Sequence, residues 1–465
     1  MSKTAKAAGD SAAGPSGRET LRTIPSVETI LSSVPFSPII DRYGRGPAKD
    51  QLSSYLAAFR GELTDASPGR HFNLEDCAAS LAITLEALQR PALRKVINGS
   101  GVIIHTNLGR SPIDPAVWNA ASSAVCGYSN LEFDLETGQR GARDELLSTA
   151  AVQLFGCEAA ILTNNNAAGT LLLLASVAAK REVIVSRGEL VEIGGSFRIP
   201  DVIQQGGAKL HEVGTTNRTR AADYAVAVTR RTAAILRVHR SNFDIVGFTE
   251  TPTVEALVEV SRSSGIPMLY DEGSGRVVDL SRYGFAAEET IGQLLARGVD
   301  VVTCSTDKLI GSTQGGLILG SAAIINGCRR HPLMRALRAG KESYALIAET
   351  LRIFASGKHE ERIPIYRMLA TPLEELRRRG QSIAGATTAR LSDTRSVLGG
   401  GTTPSETIAS IGIELPGNAD ALADRLRRSD PPIIGRIVED RFTIDLRTVL
   451  PEEDAMLKEA ILELA

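Results

Sequence analysis

Apolar residues recur three and four positions apart over the first part of the chain, from about residue 21 to residue 90. Val27, Ile30 and Leu31 form one such series, and the stretch Leu52–Phe59 contains another. This spacing places apolar side chains on one face of a helix. The sequence therefore predicts a small helical domain over residues 21–90. Residues 1–20 are small and polar, and we expect a disordered tail there because they can bury little apolar surface.

After Asn98 the pattern changes to short β-branched runs that alternate with stretches of helical length. Examples of the predicted strands are Ala159–Leu162, Glu182–Ser186, Ala233–Val238, Pro267–Tyr270 and Val299–Thr303. Such alternation is typical of parallel βαβ units. It predicts an α/β domain with a doubly wound, mostly parallel sheet over residues 91–345, with reactive groups at the carboxyl ends of its strands.

The last part of the chain predicts a smaller α+β domain over residues 346–465. A helix is expected at residues 372–393, and strands are expected near residues 408–415 and 441–447. The domain organisation is thus a tail, a helical domain, an α/β domain and an α+β domain.

Lys308 follows one of the predicted buried strands after a short polar turn. Open α/β sheets place reactive groups at this end of a strand. A lysine that is desolvated there loses its proton more readily and can bond covalently to an aldehyde. Taken alone, the segment fits a solvated surface lysine equally well.

Two other strand ends carry polar residues of a different kind. Asp271 ends an apolar strand, where a carboxylate could pair with a protonated ring nitrogen, cap a helix or bind magnesium. Asn165, Asn166 and Ala167 begin a predicted helix, where free N–H groups and the helix dipole suit a phosphate. An ordinary asparagine cap is the alternative at that position.

The order of these features is more informative than any one of them. A phosphate-binding helix start, a strand-end acid and a strand-end lysine follow one another on separate βα turns. This combination is typical of fold-type I enzymes that use pyridoxal 5′-phosphate (PLP). Ser305 would then be a second phosphate ligand through its hydroxyl group. Gly316 would let the backbone approach a ligand closely because it has no side chain.

Composition adds mainly exclusions. The 465 residues are 43% hydrophobic and 23% charged, without an apolar run of membrane-spanning length or a secretory signal, so we expect a cytoplasmic protein without a membrane partner. The net charge of −2 means that a nucleic acid must be met by a local patch or by shape. The scattered cysteines and histidines predict no metal site and no disulfide framework.

Several segments resemble bacterial selenocysteine synthase, the L-seryl-tRNA(Sec) selenium transferase family. They are Val96–Arg110, Ser186–Pro200, Glu212–Thr219, His239–Phe243 and Val299–Gly311. The likeness extends into the helical region at Ile24–Val27 and Tyr43–Arg45. This breadth favours the tRNA enzyme over smaller relatives, which lack that region and act on small amino acids or sugars.

The resemblance implies that L-seryl-tRNA(Sec) is converted to L-selenocysteinyl-tRNA(Sec) with PLP as cofactor. Lys308 would carry PLP and then take the serine α-proton, water would leave the β-carbon, and selenium from selenophosphate would add. Asp307 resembles a family residue that is required for activity. The resemblance also implies that Arg110, Arg335 and Arg338 bind selenophosphate, although spacing alone would favour two solvent-facing helix arginines.

The resemblance further implies that residues 21–90 bind the tRNA and that the chain forms a homodecamer. Arg42, Arg45, Lys49 and Arg60 are basic candidates in that domain, but they form no continuous basic run. One alternative is a PLP-dependent lyase or transferase acting on a free small amino acid or sugar, with residues 21–90 serving assembly only. The other is a non-catalytic tRNA-binding protein on the same fold.

Overall fold

The computed structural model describes residues 23–62, 71–89, 91–194, 197–385, 387–402 and 406–464. The disordered tail predicted for residues 1–20 lies outside these ranges. The chain forms two compact units, residues 1–94 and 95–465. No helix in the described ranges is both long enough and apolar enough to cross a membrane.

The first unit is helical, as the spacing of its apolar residues predicted. Its helices are α1 (Val27–Leu31), α2 (Ser37–Tyr43), α3 (Arg45–Glu62) and α4 (Leu74–Gln89), with a 3-10 turn at Val34–Phe36. Ile30 and Leu31 of α1 pack in one core with Leu52 and Leu56 of α3 and with Leu81 of α4. The predicted apolar faces of α1 and α3 are therefore buried.

A seven-stranded sheet occupies the centre of the second unit, in the order β2-β10-β9-β8-β7-β3-β6. The strands of residues 95–320 are β1 (Ile97–Asn98), β2 (Ala159–Thr163), β3 (Glu182–Ser186), β4 (Glu192–Ile193), β5 (Phe197–Arg198), β6 (Lys209–Val213), β7 (Thr232–Val238), β8 (Met268–Gly273), β9 (Val301–Ser305) and β10 (Gly316–Gly320). Among the described residues, β10 runs opposite to the other six strands of this sheet, which share one direction. The mostly parallel sheet is confirmed.

Helices connect these strands and cover the sheet. They are α5 (Pro115–Cys126), α6 (Glu145–Phe155), α7 (Asn166–Ala178), α8 (Ile199–Gln205), α9 (Ala221–Ala227), α10 (Val254–Ser264), α11 (Ile291–Ala296), α12 (Ala322–Arg330), α13 (Leu333–Leu337), α14 (Lys341–Ala355), α15 (His359–Arg362) and α16 (Pro364–Ala370). Short 3-10 turns lie at Thr106–Leu108, Arg187–Glu189 and Leu280–Tyr283.

Alternate residues of each central strand point into two different cores. Leu162 and Met268 lie in the core that contains Leu257 of α10 and Ile347 of α14. The neighbouring Ile161 and Leu269 lie in a second core with α7 and α8. Since strand side chains alternate between the faces of a sheet, helices cover both faces. This is the doubly wound arrangement that the sequence predicted.

The rest of the second unit contains a four-stranded antiparallel sheet with the order β11-β12-β15-β14. The elements of this part of the chain are α17 (Leu373–Ala384), β11 (Arg390–Val397), β12 (Thr407–Leu415), α18 (Ala419–Arg427), β13 (Ile433–Ile434), β14 (Arg436–Val438), β15 (Arg441–Asp445), a 3-10 turn (Pro451–Glu453) and α19 (Asp454–Leu462). β1 pairs in parallel with β13.

The predicted helix at residues 372–393 was too long. Helix α17 ends at Ala384, with Gly385 as its C-cap, and residues 390–397 form β11. β11 pairs along its whole length with β12, so long-range hydrogen bonding overrides the local helical pattern. The predicted boundary at residue 345 falls within α14, and the division of residues 95–465 into two domains stays a prediction.

Candidate active site

Strand register brings the predicted polar turns to one edge of the sheet. Thr163 on β2 and Ser305 on β9 both lie opposite Gly316 on β10. Asp271 on β8 lies opposite Thr303 on β9. The carboxyl ends of β2, β8 and β9 therefore meet at the edge where an open α/β sheet binds its ligands.

Lys308 lies in the turn that follows β9. Its side chain is 9% exposed, and its Nζ atom donates a hydrogen bond to the carbonyl oxygen of Gly401 at 3.3 Å. The carbonyl oxygen of Lys308 accepts a hydrogen bond from the Ser111 hydroxyl at 2.6 Å. Both the backbone and the amine of this lysine are thus held by residues distant in sequence.

Burial and the nearby carboxylates act in opposite directions on the pKa of Lys308. Burial lowers the pKa of Lys308 below its ordinary value, and the carboxylates of Glu272, Asp307 and Asp271 oppose that effect. Asp307 forms an ion pair with the guanidinium of Arg110. Because the effect of burial prevails, Lys308 loses its proton more readily than a surface lysine does. A neutral amine is the form that can act as a base or a nucleophile.

Asp271 is buried and accepts hydrogen bonds on both carboxylate oxygens. Oδ1 accepts from the Asn166 amide at 2.8 Å and the Thr303 hydroxyl at 3.2 Å, and Oδ2 accepts from the Thr170 hydroxyl at 3.3 Å. Burial raises the pKa of Asp271, while these donors and Lys308 lower it. A cationic partner would stabilise the charged form of this desolvated carboxylate.

The start of α7 lies against β10. Asn165 caps the helix, and its side chain accepts a hydrogen bond from the N–H group of Ala168 at 2.9 Å. The first N–H groups of a helix, here those of Asn166 and Ala167, have no acceptor within the helix. A Cβ atom at Gly316 would lie 2.2 Å from the carbonyl oxygen of Asn165. Glycine is therefore required at residue 316 for this approach of strand to helix.

Further contacts fix the same corner. The Thr163 hydroxyl donates to the carbonyl oxygens of Asn165 at 2.9 Å and Gly316 at 3.0 Å. Ser305 is buried and lies opposite Gly316 in the sheet. The close approach at Gly316 is to protein backbone, so its contact with a cofactor stays a prediction, as does the phosphate role of Ser305.

The structure tests whether these residues fit PLP. Oδ1 of Asn166 is buried and accepts no hydrogen bond from the described residues, although the Nδ2 atom of the same amide binds Asp271. A helix start with free N–H groups, a buried carboxylate and a buried lysine provide a partner for each polar part of PLP. The residues present fit this cofactor.

Arg335 and Arg338 lie in a different cleft from Lys308. Five cations line that cleft, namely Arg140, Arg143, Arg335, Arg338 and Lys341. Glu132 lies among them, with carboxylate oxygens 2.6 Å from Arg143, 3.0 Å from Arg140 and 3.5 Å from Arg338. Arg143 lowers the pKa of the Glu132 carboxyl, mainly by hydrogen bonding. Among the described residues, cationic side chains thus outnumber the one carboxylate that lines the cleft.

Arg110 does not line this cleft in the described structure, because it pairs with Asp307 beside Lys308. The three arginines predicted to bind selenophosphate are therefore not brought together within one chain. Their shared role stays a prediction.

Several residues of the site were missed at the level of sequence. Gly401 lies 93 residues from Lys308, and no spacing rule connects the two. Its only signal was the run of three glycines at residues 399–401. Arg140 and Arg143 have the same separation of three residues as Arg335 and Arg338, but they precede α6 in a loop.

A buried lysine at the end of a parallel strand, with an acid on the next strand and a helix start beside them, defines a fold-type I enzyme of the PLP-dependent class. The fold is shared with the solved structure of D-glucosaminate-6-phosphate ammonia-lyase. That likeness has a TM-score of 0.59 and 21% sequence identity, and covers 81% of this chain and 97% of that one.

Sequence comparison identifies the family. Residues 96–450 match the family described as L-seryl-tRNA selenium transferase. The L-seryl-tRNA(Sec) selenium transferase of Geobacter sulfurreducens is 42% identical, over 95% of this chain and 98% of that protein. The enzyme of Hyphomonas neptunium is also 42% identical, over 96% and 99%. The chain belongs to the L-seryl-tRNA selenium transferase family, which confirms the resemblance inferred from its motifs.

Proposed function

We propose that this protein converts L-seryl-tRNA(Sec) to L-selenocysteinyl-tRNA(Sec), with PLP held at Lys308 and selenium supplied by selenophosphate. The observation that carries this proposal is the buried Lys308, placed with Asp271 at one sheet edge. It occurs in a chain that matches L-seryl-tRNA(Sec) selenium transferases over nearly its whole length.

Each part of the site has a separate task toward the cofactor. Lys308 would hold PLP covalently, and Asp271 would hold the ring nitrogen as a charged hydrogen-bond partner. The N–H groups at Asn166 and Ala167, after the Asn165 cap, would bind the phosphate together with the Ser305 hydroxyl. When bound, PLP supplies an electron sink for the negative charge that develops at the substrate α-carbon.

The chain's own residues would move the protons. With its pKa lowered by burial, Lys308 can take the α-proton of the seryl group as a general base. The same ammonium can then return a proton, for example to the hydroxyl group that leaves the β-carbon. Asp307 pairs with Arg110 beside the lysine, and it would fix the charge balance of this turn.

The cleft around Glu132 supports a site for the selenium donor. Selenophosphate is a compact, multiply charged anion, and such anions bind best to several fixed cations. Arg335 and Arg338 would bind it together with Arg143, whose guanidinium is largely buried beside Glu132. Arg110 would join them only after leaving Asp307, or from a second copy of the chain.

The remaining parts of the proposal concern partners. The N-terminal unit would bind the tRNA, and Arg42, Arg45, Lys49 and Arg60 are all exposed on it. Tyr128, Phe133 and Leu135 are exposed apolar side chains in the loop between α5 and α6, which fits burial in a homo-oligomer and ultimately a homodecamer. We expect this reaction on an aminoacyl-tRNA to take place in the cytoplasm.

The visible absorption spectrum of the purified protein tests the function. A band of lysine-bound PLP should change on addition of seryl-tRNA(Sec) and not on addition of free serine. A change with free serine alone would identify a lyase or transferase of small molecules. The absence of a PLP band would contradict the proposal and leave a tRNA-binding protein.

A further inference from the structure

The amine of Lys308 is held by a loop that comes from the antiparallel sheet. This loop, residues 399–402, follows β11, and the carbonyl oxygen of Gly401 accepts the hydrogen bond from Nζ at 3.3 Å. Gly401 has a φ of +84°, and a Cβ atom there would lie 2.4 Å from Nζ and 2.9 Å from Cε of Lys308. The carbonyl group of Gly401 therefore accepts a hydrogen bond from the lysine amine, and the missing side chain of Gly401 leaves the space that the amine occupies.

The loop is itself fixed on both sides. The Thr402 hydroxyl donates to the carbonyl oxygen of Gly399 at 2.7 Å, and Thr402 is fully buried. A Cβ atom at Gly399 would lie 2.3 Å from the carbonyl oxygen of Ile104. The N–H group of Ile104 donates to the carbonyl oxygen of Leu398 at 2.7 Å. The position of the Gly401 carbonyl is thus set by backbone packing.

The carboxylates near Lys308 already have donors of their own. Glu272 accepts from the N–H group of Gly275 at 2.6 Å, and Asp307 pairs with Arg110. Asp271 accepts from Asn166 and Thr170 of α7 and from Thr303 of β9. Within the described ranges, the neutral carbonyl of Gly401 is the hydrogen-bond acceptor of Nζ.

We propose that Gly401 is a positioning residue whose carbonyl oxygen holds the Lys308 amine whenever that lysine is not bonded to the cofactor. The inference rests on the proposed function, in which the substrate amine displaces the lysine. When the α C–H bond breaks, the proton forms a new N–H bond at Nζ and the electron pair stays with the substrate. The resulting buried ammonium needs an acceptor, because an unpaired buried charge is costly.

Two neighbouring glycines make a matched test. Gly401→Ala strains the backbone at a positive φ in every state, but its Cβ meets Nζ only when the lysine occupies this position. At Gly400, a Cβ atom would have its nearest neighbour, the Thr106 hydroxyl, at 3.7 Å, an ordinary contact. The melting temperatures of each variant are compared without PLP and with PLP bound.

Gly401→Ala should lower the melting temperature of the PLP-free protein by several degrees more than that of the PLP-loaded protein. Gly400→Ala should shift both forms by the same small amount. An equal loss in both forms of Gly401→Ala would reduce its role to backbone strain and overturn the proposal. The comparison uses neither seryl-tRNA nor selenophosphate, so its outcome depends on the attachment of PLP to Lys308 but not on the reaction that follows.

A double variant keeps the proposal testable if Gly401→Ala does not fold. In a Lys308→Ala background the clash with Nζ is absent, so adding Gly401→Ala should cost less stability than it does in the natural chain. A folded double variant beside an unfolded single variant would support the proposal in the same way. If Gly401→Ala lowers the stability equally in both backgrounds, or prevents folding in both, then Gly401 does not accommodate the lysine.

Discussion

Lys308 and Asp271 are displaced from their ordinary proton affinities by the same cause. Burial lowers the pKa of the lysine and raises the pKa of the acid, so each is pushed toward its neutral form. A cationic ring nitrogen beside Asp271 would restore the charged carboxylate, whereas the lysine must remain neutral to act as a base. The two groups therefore differ in what they need: Asp271 requires a cationic partner to be charged, whereas Lys308 must be neutral to act.

Replacing the lysine tests the centre of the proposal. We expect Lys308→Ala to bind PLP without a covalent bond and to lose about 10²–10⁴-fold in activity, the contribution usual for a general base. Borohydride reduction followed by mass spectrometry measures the covalent bond. Lys209→Ala, at an exposed position on β6, is the control. Covalently bound PLP in Lys308→Ala would show that another lysine carries the cofactor.

The lowered pKa of Lys308 also predicts a pH dependence of stability. Below its folded-state pKa the buried ammonium destabilises the PLP-free protein, and this penalty disappears as pH rises to the ordinary lysine value. PLP-free Lys308→Met should therefore be more stable than the natural chain near neutral pH, with a difference that shrinks toward pH ~10, near the ordinary lysine pKa. Urea unfolding across this range measures it, and a difference that grows with pH would contradict the assignment.

Sequence reasoning found the residues whose roles follow from their position on a strand or helix. Lys308, Asp271 and Asn165 all stand at or just after strand ends, and parallel strands bring such ends together. Gly401 could not be found in this way, since its contact with Lys308 depends on how the antiparallel sheet packs. Glu132 was missed for a related reason, because its arginine partners come from two segments, the loop before α6 and the end of α13.

At the scale of elements, the junction of β10 and α7 is the tightest contact in the site. A Cβ atom at residue 316 would also lie 2.7 Å from the N–H nitrogen of Asn166. We expect Gly316→Ala to displace the helix start, to destabilise the protein by roughly 1–3 kcal/mol and to weaken PLP binding. Unfolding curves and PLP titration measure the two effects.

Gly292→Ala is the matched control for that change, since the nearest atom to a Cβ there is the Phe155 carbonyl oxygen at 3.7 Å. It should leave PLP affinity unchanged. Unchanged PLP affinity in Gly316→Ala would show that the start of α7 does not bind the phosphate of PLP.

The cleft around Glu132 yields a prediction about the second half of the reaction. We expect Arg335→Ala with Arg338→Ala to retain PLP and its spectral response to seryl-tRNA(Sec) but to stop selenium transfer. Arg427→Ala with Arg428→Ala removes two exposed arginines that pair with Asp424, and it serves as the control. Full turnover by the Arg335 and Arg338 variant would exclude these residues from the selenophosphate site.

Element boundaries show where local patterns cease to decide the fold. Five strands of the central sheet, β2, β3, β7, β8 and β9, were placed close to their observed positions because buried β-branched runs alternate with helices, whereas β6 was not among the predicted strands. The error at residues 385–393 arose because β11 is largely polar and is fixed by its eight-residue pairing with β12, a partner across a long loop. The antiparallel β10 was likewise missed, since only its pairing with β2 and β9 reveals its direction.

For the whole molecule, a net charge of −2 must be reconciled with a tRNA substrate. The four basic candidates of the N-terminal unit are not equivalent. Arg45 pairs with Glu28, and Arg42 lies 3.8 Å from Glu86. An arginine that gives up such an ion pair to contact a phosphate gains little binding free energy. Lys49 and Arg60 are therefore the stronger candidates for tRNA binding.

Reversing these two charges tests whether the N-terminal unit binds the tRNA electrostatically. We expect Lys49→Glu with Arg60→Glu to weaken seryl-tRNA(Sec) binding and to reduce its salt dependence by a slope of about 0.7–0.9 for each phosphate that the variant no longer neutralises. The charge-preserving pair Lys49→Arg with Arg60→Lys should bind nearly as well as the natural chain. Filter binding from low to moderate salt measures both. If the reversed variant keeps the natural salt slope, these residues do not contact phosphates, and recognition by this unit must depend on shape.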